Sequence, residues 1–489
     1  MNGGLLKSAS QVAIIAATGL FVGGVAMPSA KAADLGGDCC ADLEERVAEL
    51  EATTARKGNR RMSLTITGQV HRMVLWWDDG KKSDTYYGLD NTNSSTRFSF
   101  LGEAKVTSRV KMGFEIMLEI EAGGTSSKVS QFDEDGKVGT QINGSSAASF
   151  NASNVDSYFG DARRAAWWIE HKDLGRLTVG RYESAGVVNT IDLGGISAGA
   201  SSSVVLVNGS FLIRGPQGQY YATTWANLGD PAASQGRTEL IRYDSPTIAG
   251  FIASASIAEA GDYWGVMLRY AGEFSGVRIA AGIGYEDVTD RQTSAAGASG
   301  PNDLTNPLLK GHVKAWGAAL SLMHVPTGLF AQGHYMAADF SDTGATGYWG
   351  ETVPTATVVA KKDADQWMIQ AGISKNWTGL GNTAIFGEYS VSNDWGAGVG
   401  TGRNYAGSNG STTVNGVTGT KLTLWGAGVT QMVDAAATEL YLDWRHFSAD
   451  IDCTGAGPVG VCTGAAGAPV TRLKTEDGDF VIGGARMKF

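Results

Sequence analysis

The pentapeptide Gly195-Ile196-Ser197-Ala198-Gly199 has the spacing of a G-x-S-x-G nucleophile elbow, whose chemistry is acyl transfer through a serine hydroxyl. That chemistry needs a strand entering the turn and a helix leaving it. Here the match sits in a stretch rich in Gly, Ser and Ala, where five-residue matches arise by chance. The six histidines, His71, His171, His312, His324, His334 and His446, show no i,i+3 or i,i+4 spacing that would place two ligands on one metal. Asp133, Glu134 and Asp135, just before Gly136, offer oxygens to a calcium ion or to a cation bridging lipopolysaccharide, but the stretch reads first as a solvated loop tip. No glycine-rich phosphate loop precedes a helix. These residues predict neither an enzyme nor a bound metal or cofactor.

The elements that hold these residues begin with an export signal. Lys7 supplies a basic start, an apolar run spans Val12 to Met27, and Ala30-Lys31-Ala32 gives the small-x-small cleavage pattern. Residues 1–32 therefore read as a signal peptide cut before Ala33; the apolar run is short for a membrane anchor of about 20 residues. Its removal takes Lys7 and Lys31 and no acid, so the formal charge moves from −10 to −12. An acidic exported chain is a poor partner for nucleic acid. Beyond Met27 no stretch reaches the length of a transmembrane helix. Cys453 and Cys462 bracket a Gly-rich stretch, which predicts a disulfide outside the cytoplasm. Cys39 and Cys40 follow Asp38, too far from the cleavage site for a lipid-acceptor cysteine, and are free to cross-link subunits or to oxidise locally.

Residues 33–61 form a separate segment before the main domain. Within 42–57, Leu43, Val47, Leu50 and Thr54 recur at spacings of four and three among charged neighbours. Two such heptads are marginal alone, which leaves two readings: a coiled coil with other subunits, or a solvated periplasmic helix.

From Met62 to Phe489 the period changes to two. In Arg109–Glu121 one parity reads Val110, Met112, Phe114, Ile116, Leu118 and Ile120, and the other holds Arg109, Lys111, Glu115, Glu119 and Glu121. A strand with one face in lipid and one in water makes that separation, and a helix does not. Strands are predicted at 62–77, 96–106, 109–121, 163–171, 176–182, 237–245, 251–259, 263–273, 277–286, 312–324, 329–339, 365–376, 383–393, 420–432, 437–447 and 478–489. Short turns such as 172–176 and 274–276 alternate with long Ser/Gly/Asn-rich segments, with 260–262 as a short exception. This asymmetry predicts an all-β, 16-stranded antiparallel transmembrane β-barrel, with turns at one rim and long loops at the other. Side chains cannot fill so wide a barrel, which leaves a water-filled lumen.

Several short segments in this order resemble the general porins of Gram-negative bacteria, and most closely the rhizobial-type porins of alphaproteobacteria. Thr96-Arg97-Phe98-Ser99-Phe100-Leu101-Gly102-Glu103 is similar to the RxxFxGE pattern of the second porin strand. Asp173–Arg181 resembles the hairpin before the constriction loop, Asp192-Leu193-Gly194-Gly195 resembles an element within that loop, and Leu440–Phe447 and the terminal Phe489 fit as well. The resemblance covers nearly all of the chain from Met62. It implies a homotrimer in the outer membrane, passive passage of ions and small hydrophilic solutes, and a loop at about 183–236 folded into the lumen. It also implies contact with outer-membrane lipid and lipopolysaccharide, and places Phe489 as an assembly signal for the barrel assembly machinery.

By position, Asp192 and Glu183 match the acidic side of the constriction, while Arg97 and either Arg163 or Arg164 match its basic wall. The family's further basic rung on the first strand falls at Gln69 here, with His71 next on the same parity as a partial substitute when protonated. Arg109 and Lys111 are further pore-lining candidates. Lys105 and Glu115 are expected only to solvate the inner wall. A substrate-specific channel, or a barrel serving as an envelope tether through its N-terminal helix, are the alternative readings.

Overall fold

A computed structural model describes residues 62–120, 124–126, 129–131, 141–142, 145–146, 162–200, 208–209, 211–229, 236–258, 263–292, 310–339, 363–395, 417–453 and 471–489. The signal peptide, the 42–57 helix, Cys39, Cys40, Cys462 and the Asp133–Asp135 cluster lie outside the described residues.

The chain builds a closed antiparallel barrel of 16 strands. They are β1 Ser63–Asp78, β2 Arg97–Lys105, β3 Val110–Glu119, β4 Ala162–His171, β5 Gly175–Glu183, β6 Arg237–Asp244, β7 Phe251–Ala258 and β8 Tyr263–Phe274. The ring continues with β9 Val277–Gln292, β10 Lys310–His324, β11 Leu329–Asp339, β12 Asp363–Lys375, β13 Thr383–Asn393, β14 Val417–Val433, β15 Thr438–Cys453 and β16 Gly478–Lys488. Each strand pairs with the next, and β1 pairs with β16 from Gln69↔Lys488 to Asp78↔Asp479, which leaves no open edge. The seam ends with Phe489, whose backbone exchanges two hydrogen bonds with Gly68 at 2.9 and 3.0 Å. Its ring lies over Gly68, where a side chain would collide with it.

Period-two alternation explains the wall. Ile66, Val70, Val74, Ile257, Val266, Ile283, Leu320, Ile369 and Leu442 are exposed on the outside, while Thr178, Arg242, Ser321, Gln370 and Arg445 are buried on the inside. An apolar outer face with every backbone group paired around the ring is what a bilayer requires of a strand structure. Directly paired outward residues form an aromatic band toward the loop ends of β8–β15: Tyr285↔Trp316, Tyr335↔Trp367 and Tyr389↔Trp425. On the turn side, Ser275 and Gly276 join β8 to β9 with φ of 50° and 77°, the left-handed pair of a type I′ hairpin.

Two strands outrun their expected ends by six residues each. β9 continues to Gln292 and β15 to Cys453, because the ladders β9–β10 and β14–β15 rise beyond the membrane-facing band. Polar residues such as Asp287 and Asp450 at those heights read as loop in the sequence.

Candidate functional site

One arc of the lumen wall is built from ion pairs. On β3, Glu115 and Glu119 share the inward parity, and β4 brings two arginines to them. The β3–β4 ladder passes from Met117↔Arg164 to Leu118↔Ala162, so Arg163 is a bulged residue with no partner of its own. A bulge re-aims the side chain it carries. Consecutive residues would normally face opposite sides, yet here both arginines reach inward carboxylates. Arg163 donates to both oxygens of Glu119 at 2.5 and 2.6 Å. Arg164 donates to Glu115 at 2.9 Å and to Glu183, at the end of β5, at 2.6 and 2.9 Å. The bulge thus brings Arg163 and Arg164, the two alternatives for one basic rung, to neighbouring inward carboxylates. Glu115 is a buried partner of Arg164 rather than a solvated wall residue.

Arg97 on β2 donates to Ser94 Oγ at 3.3 Å, and among the described residues no carboxylate lies within ion-pair distance of it. Charges held beside a narrow, low-dielectric passage act on a permeating ion over several Å.

The segment after β5 folds inward. Its root is fixed by Arg242, which donates to the carbonyls of Glu183 and Ser184 at 3.0 and 3.3 Å while paired with Asp244 at 2.8 Å. Ala185 N then donates to Ser256 Oγ at 2.8 Å. Residues 185–188 lie flat on the wall because β8, β9 and β10 present Gly265, Gly284 and Gly317 there. A Cβ at Gly265 or Gly284 would strike the backbone of Ala185 or Gly186, and one at Gly317 would meet Val187 Cγ1 at 2.6 Å.

Farther along, the Asp192 carboxylate accepts from the backbone N–H groups of Gly195, Ile196 and Ser197 at 2.8 to 3.0 Å, and so folds its own turn. Gln332 on β11 docks that turn. Its carbonyl accepts from Leu193 N and Gly194 N at 3.1 and 3.3 Å, and its amide donates to Asp192 at 3.3 Å. Asn93 donates to the Ser197 carbonyl at 2.8 Å. Arg486 donates to Ser197 Oγ at 3.2 Å, and a guanidinium cannot take a proton from that hydroxyl, so the G-x-S-x-G match has no base in this contact.

Strand order separates Asp192 from the arginine arc. Its docking strand β11 lies eight places from β3 in the ring of 16, and thus across the lumen.

The remaining candidates fall elsewhere. Gln69 donates to the carbonyls of Ser94 and Ser95 at 2.6 and 2.8 Å. His71 is fully buried, with one ring nitrogen on the Ser94 carbonyl at 2.9 Å and the other on the Tyr441 hydroxyl at 2.8 Å. Both hold the turn Thr92–Ser94 in place. Arg109 pairs with Asp173 at 3.1 Å between two turns at the rim. Lys111 pairs with Glu103 at 2.8 Å near the same end, half-exposed. Cys453 is disulfide-bonded.

Three inward groups went unread in the sequence: Arg242 with Asp244 and Arg269, Arg445 with Glu388 and Asp443, and Arg486 with Glu439 and Lys488. The signal was present in β15, where Glu439, Asp443 and Arg445 share the parity of the buried Tyr441 and Phe447.

No protein-family model and no curated protein sequence matches the chain. Solved structures do. An anion-selective porin from Comamonas acidovorans is 16% identical with a TM-score of 0.48, the match covering 88% of this chain and 100% of that one. The outer membrane protein OmpT of Vibrio cholerae is 11% identical with a TM-score of 0.45, covering 88% and 99%. The outer membrane channel DcaP of Acinetobacter baumannii is 11% identical with a TM-score of 0.43, covering 89% and 100%.

Proposed function

We propose that this chain is an outer-membrane porin, a passive aqueous channel for ions and small hydrophilic molecules. The observation that carries the reading is a closed ring of 16 strands with apolar residues outside and ion-paired Arg and Glu residues inside. The Arg97, Arg163 and Arg164 arc forms the basic wall, and the inner loop with Asp192 narrows the lumen opposite it. In this reading the outward face meets outer-membrane lipid and the loop rim meets lipopolysaccharide.

Self-association as a trimer belongs to the same proposal. The aromatic band of β8–β15 thins over β2–β5, where Trp167 stands among outward residues such as Phe98, Phe100, Ala104, Met112, Ile116 and Val179. An arc poor in outward Tyr and Trp suits protein contact better than headgroups.

Purified protein in planar bilayers tests the function: stepwise conductance is expected, and a silent bilayer from correctly folded protein sinks it. Reversal potentials test the site. Arg97→Gln should move selectivity toward cations and Asp192→Asn toward anions. If both potentials stay put, the constriction residues are misassigned even though the channel stands.

A further inference from the structure

A lumen wall in water should be polar, yet the outer half of one arc is not. Met73, Leu75 and Trp77 on β1, Leu422 and Leu424 on β14, Phe447 and Ile451 on β15, and Phe480 and Ile482 on β16 all face inward and are buried. Inward apolar residues stay dry only when something covers them. The cover is Phe211–Gly229, a later part of the loop between β5 and β6. It forms a small hairpin, Leu212–Arg214 with Tyr220–Thr224, followed by one helical turn, Trp225–Gly229. Phe211 stacks between Trp77 and Phe480, with ring centroids at 5.5 and 5.1 Å, and Trp225 lies 5.7 Å from Phe447. Phe211, Ile213 and Leu228 are 0 to 1% exposed.

The hairpin is tied as well as packed. Arg214 makes a buried ion pair with Asp79 at 2.9 Å, both side chains 5% exposed, and lies 3.8 Å over the Tyr220 ring. Gln131 brackets Leu212 with two hydrogen bonds, accepting from its N–H at 2.9 Å and donating to its carbonyl at 2.7 Å. Tyr221 donates to the Lys474 carbonyl at 2.9 Å, and Glu476 N donates to the Arg214 carbonyl at 2.8 Å. Three other loops therefore hold it, after β1, after β3 and before β16.

We infer that the channel is eccentric: the hairpin Phe211–Gly229 permanently fills the outer lumen against β14–β16 and β1, and solutes pass only along the opposite arc. This rests on the porin reading and adds a second, outer filter, in which Phe211, Ile213, Trp225 and Leu228 limit solute size by bulk. Smaller hydrophilic solutes and ions then reach the arginine arc directly, and wider ones are stopped at the mouth.

Thiol labelling tests the packing in a nearly native protein. On a Cys39→Ser, Cys40→Ser background, Leu75→Cys lies behind the hairpin, and Lys111→Cys, half-exposed near the turn rim, is the accessible reference. A charged, membrane-impermeant methanethiosulfonate should label Lys111→Cys faster by about tenfold or more, since a buried site reacts only on opening. Equal rates overturn the inference.

Conductance tests the consequence. Phe211→Asp with Trp225→Ser should expose Leu75→Cys to the reagent and raise single-channel conductance about twofold, as a widened path admits more ions. An exposed Leu75→Cys with unchanged conductance also overturns it. Should the double substitution prevent folding, the labelling of the otherwise native barrel decides. A silent wild-type bilayer sinks the porin reading instead, and labelling still reads whether the hairpin is seated.

Discussion

The first and second halves of the loop between β5 and β6 are held inside the barrel by different balances of hydrogen bonding and burial. Residues 184–200 carry little bulk and are pinned by hydrogen bonds to Ser256, Gln332 and Asn93 over a floor of glycines, with Val188, Ile191 and Ile196 tucked into small apolar clusters on the wall. Phe211–Gly229 carries large side chains and is held by deep burial, one ion pair and hydrogen bonds to Gln131, Lys474 and Glu476. A polar docking can face water on its free side and still be satisfied, so it suits the stretch that narrows a wet passage. A hydrophobic docking must exclude water, so it suits a stretch that closes one. The two should therefore fail differently when disturbed.

The largest effect is expected at Asp79. Removing its carboxylate leaves the Arg214 guanidinium buried without its partner, a change that costs about 3–5 kcal/mol when a buried pair is broken from one side. Asp79→Ala should release the hairpin, seen as new proteolytic cleavage within Phe211–Gly229 while the barrel stays intact. Adding Arg214→Met should restore most of the protection, because the stranded charge is then gone. Cleavage that persists in the double variant would mean that the pair, not burial, holds the hairpin.

The glycine floor comes next. Gly284→Ala places a Cβ against the Gly186 carbonyl, backbone against backbone, with no flexible side chain to yield. Overpacking of this kind costs about 1–3 kcal/mol. Residues 185–188 should lift from the wall, with a changed single-channel conductance and a lower thermal midpoint. Gly387→Ala is the control: its new Cβ would meet the Gly426 carbonyl oxygen at 3.6 Å, ordinary contact. If the two alanines behave alike, the close approach is not what seats the loop.

These two halves also differ in how far the sequence could be read. The 16 strands were legible because lipid imposes a strict alternation on outward residues, and Val110 to Ile120 obeys it without exception. The inward parity obeys no such rule, since it meets water, ions or another segment according to height. Leu75, Phe447 and Phe480 therefore looked like ordinary strand residues until Phe211 was found over them. The Arg163–Arg164 ambiguity had a similar source, for a bulge at one residue leaves no mark in a period-two pattern. The resemblance draws attention to Asp192, but its capping of the 195–197 amides depends on a turn that five small residues do not announce.

A smaller effect is expected at Gln332, where the loop tip meets the wall. Gln332→Leu removes the acceptor for Leu193 N and Gly194 N and the donor to Asp192. Water can replace part of this on the lumen side, so the cost should lie near 1–3 kcal/mol and be local. Open-channel current noise should rise with little change in mean conductance or heat stability. A quiet channel would show that the Asp192 turn stands without its dock.

The smallest effect belongs to Arg109, where sequence reading had suggested a pore-lining charge. Its ion pair with Asp173 joins two turns at the rim, with side chains 68% and 50% exposed. An exposed pair contributes about 0–1 kcal/mol and is screened by salt. Arg109→Ala should leave the thermal midpoint nearly unchanged, and the reversal potential should match the wild type, in contrast to Arg97→Gln. A selectivity shift as large as that of Arg97→Gln would move the selecting field from the ion-paired arc to the turn rim. The polar half of the loop would then narrow the passage without facing the charges that sort its ions.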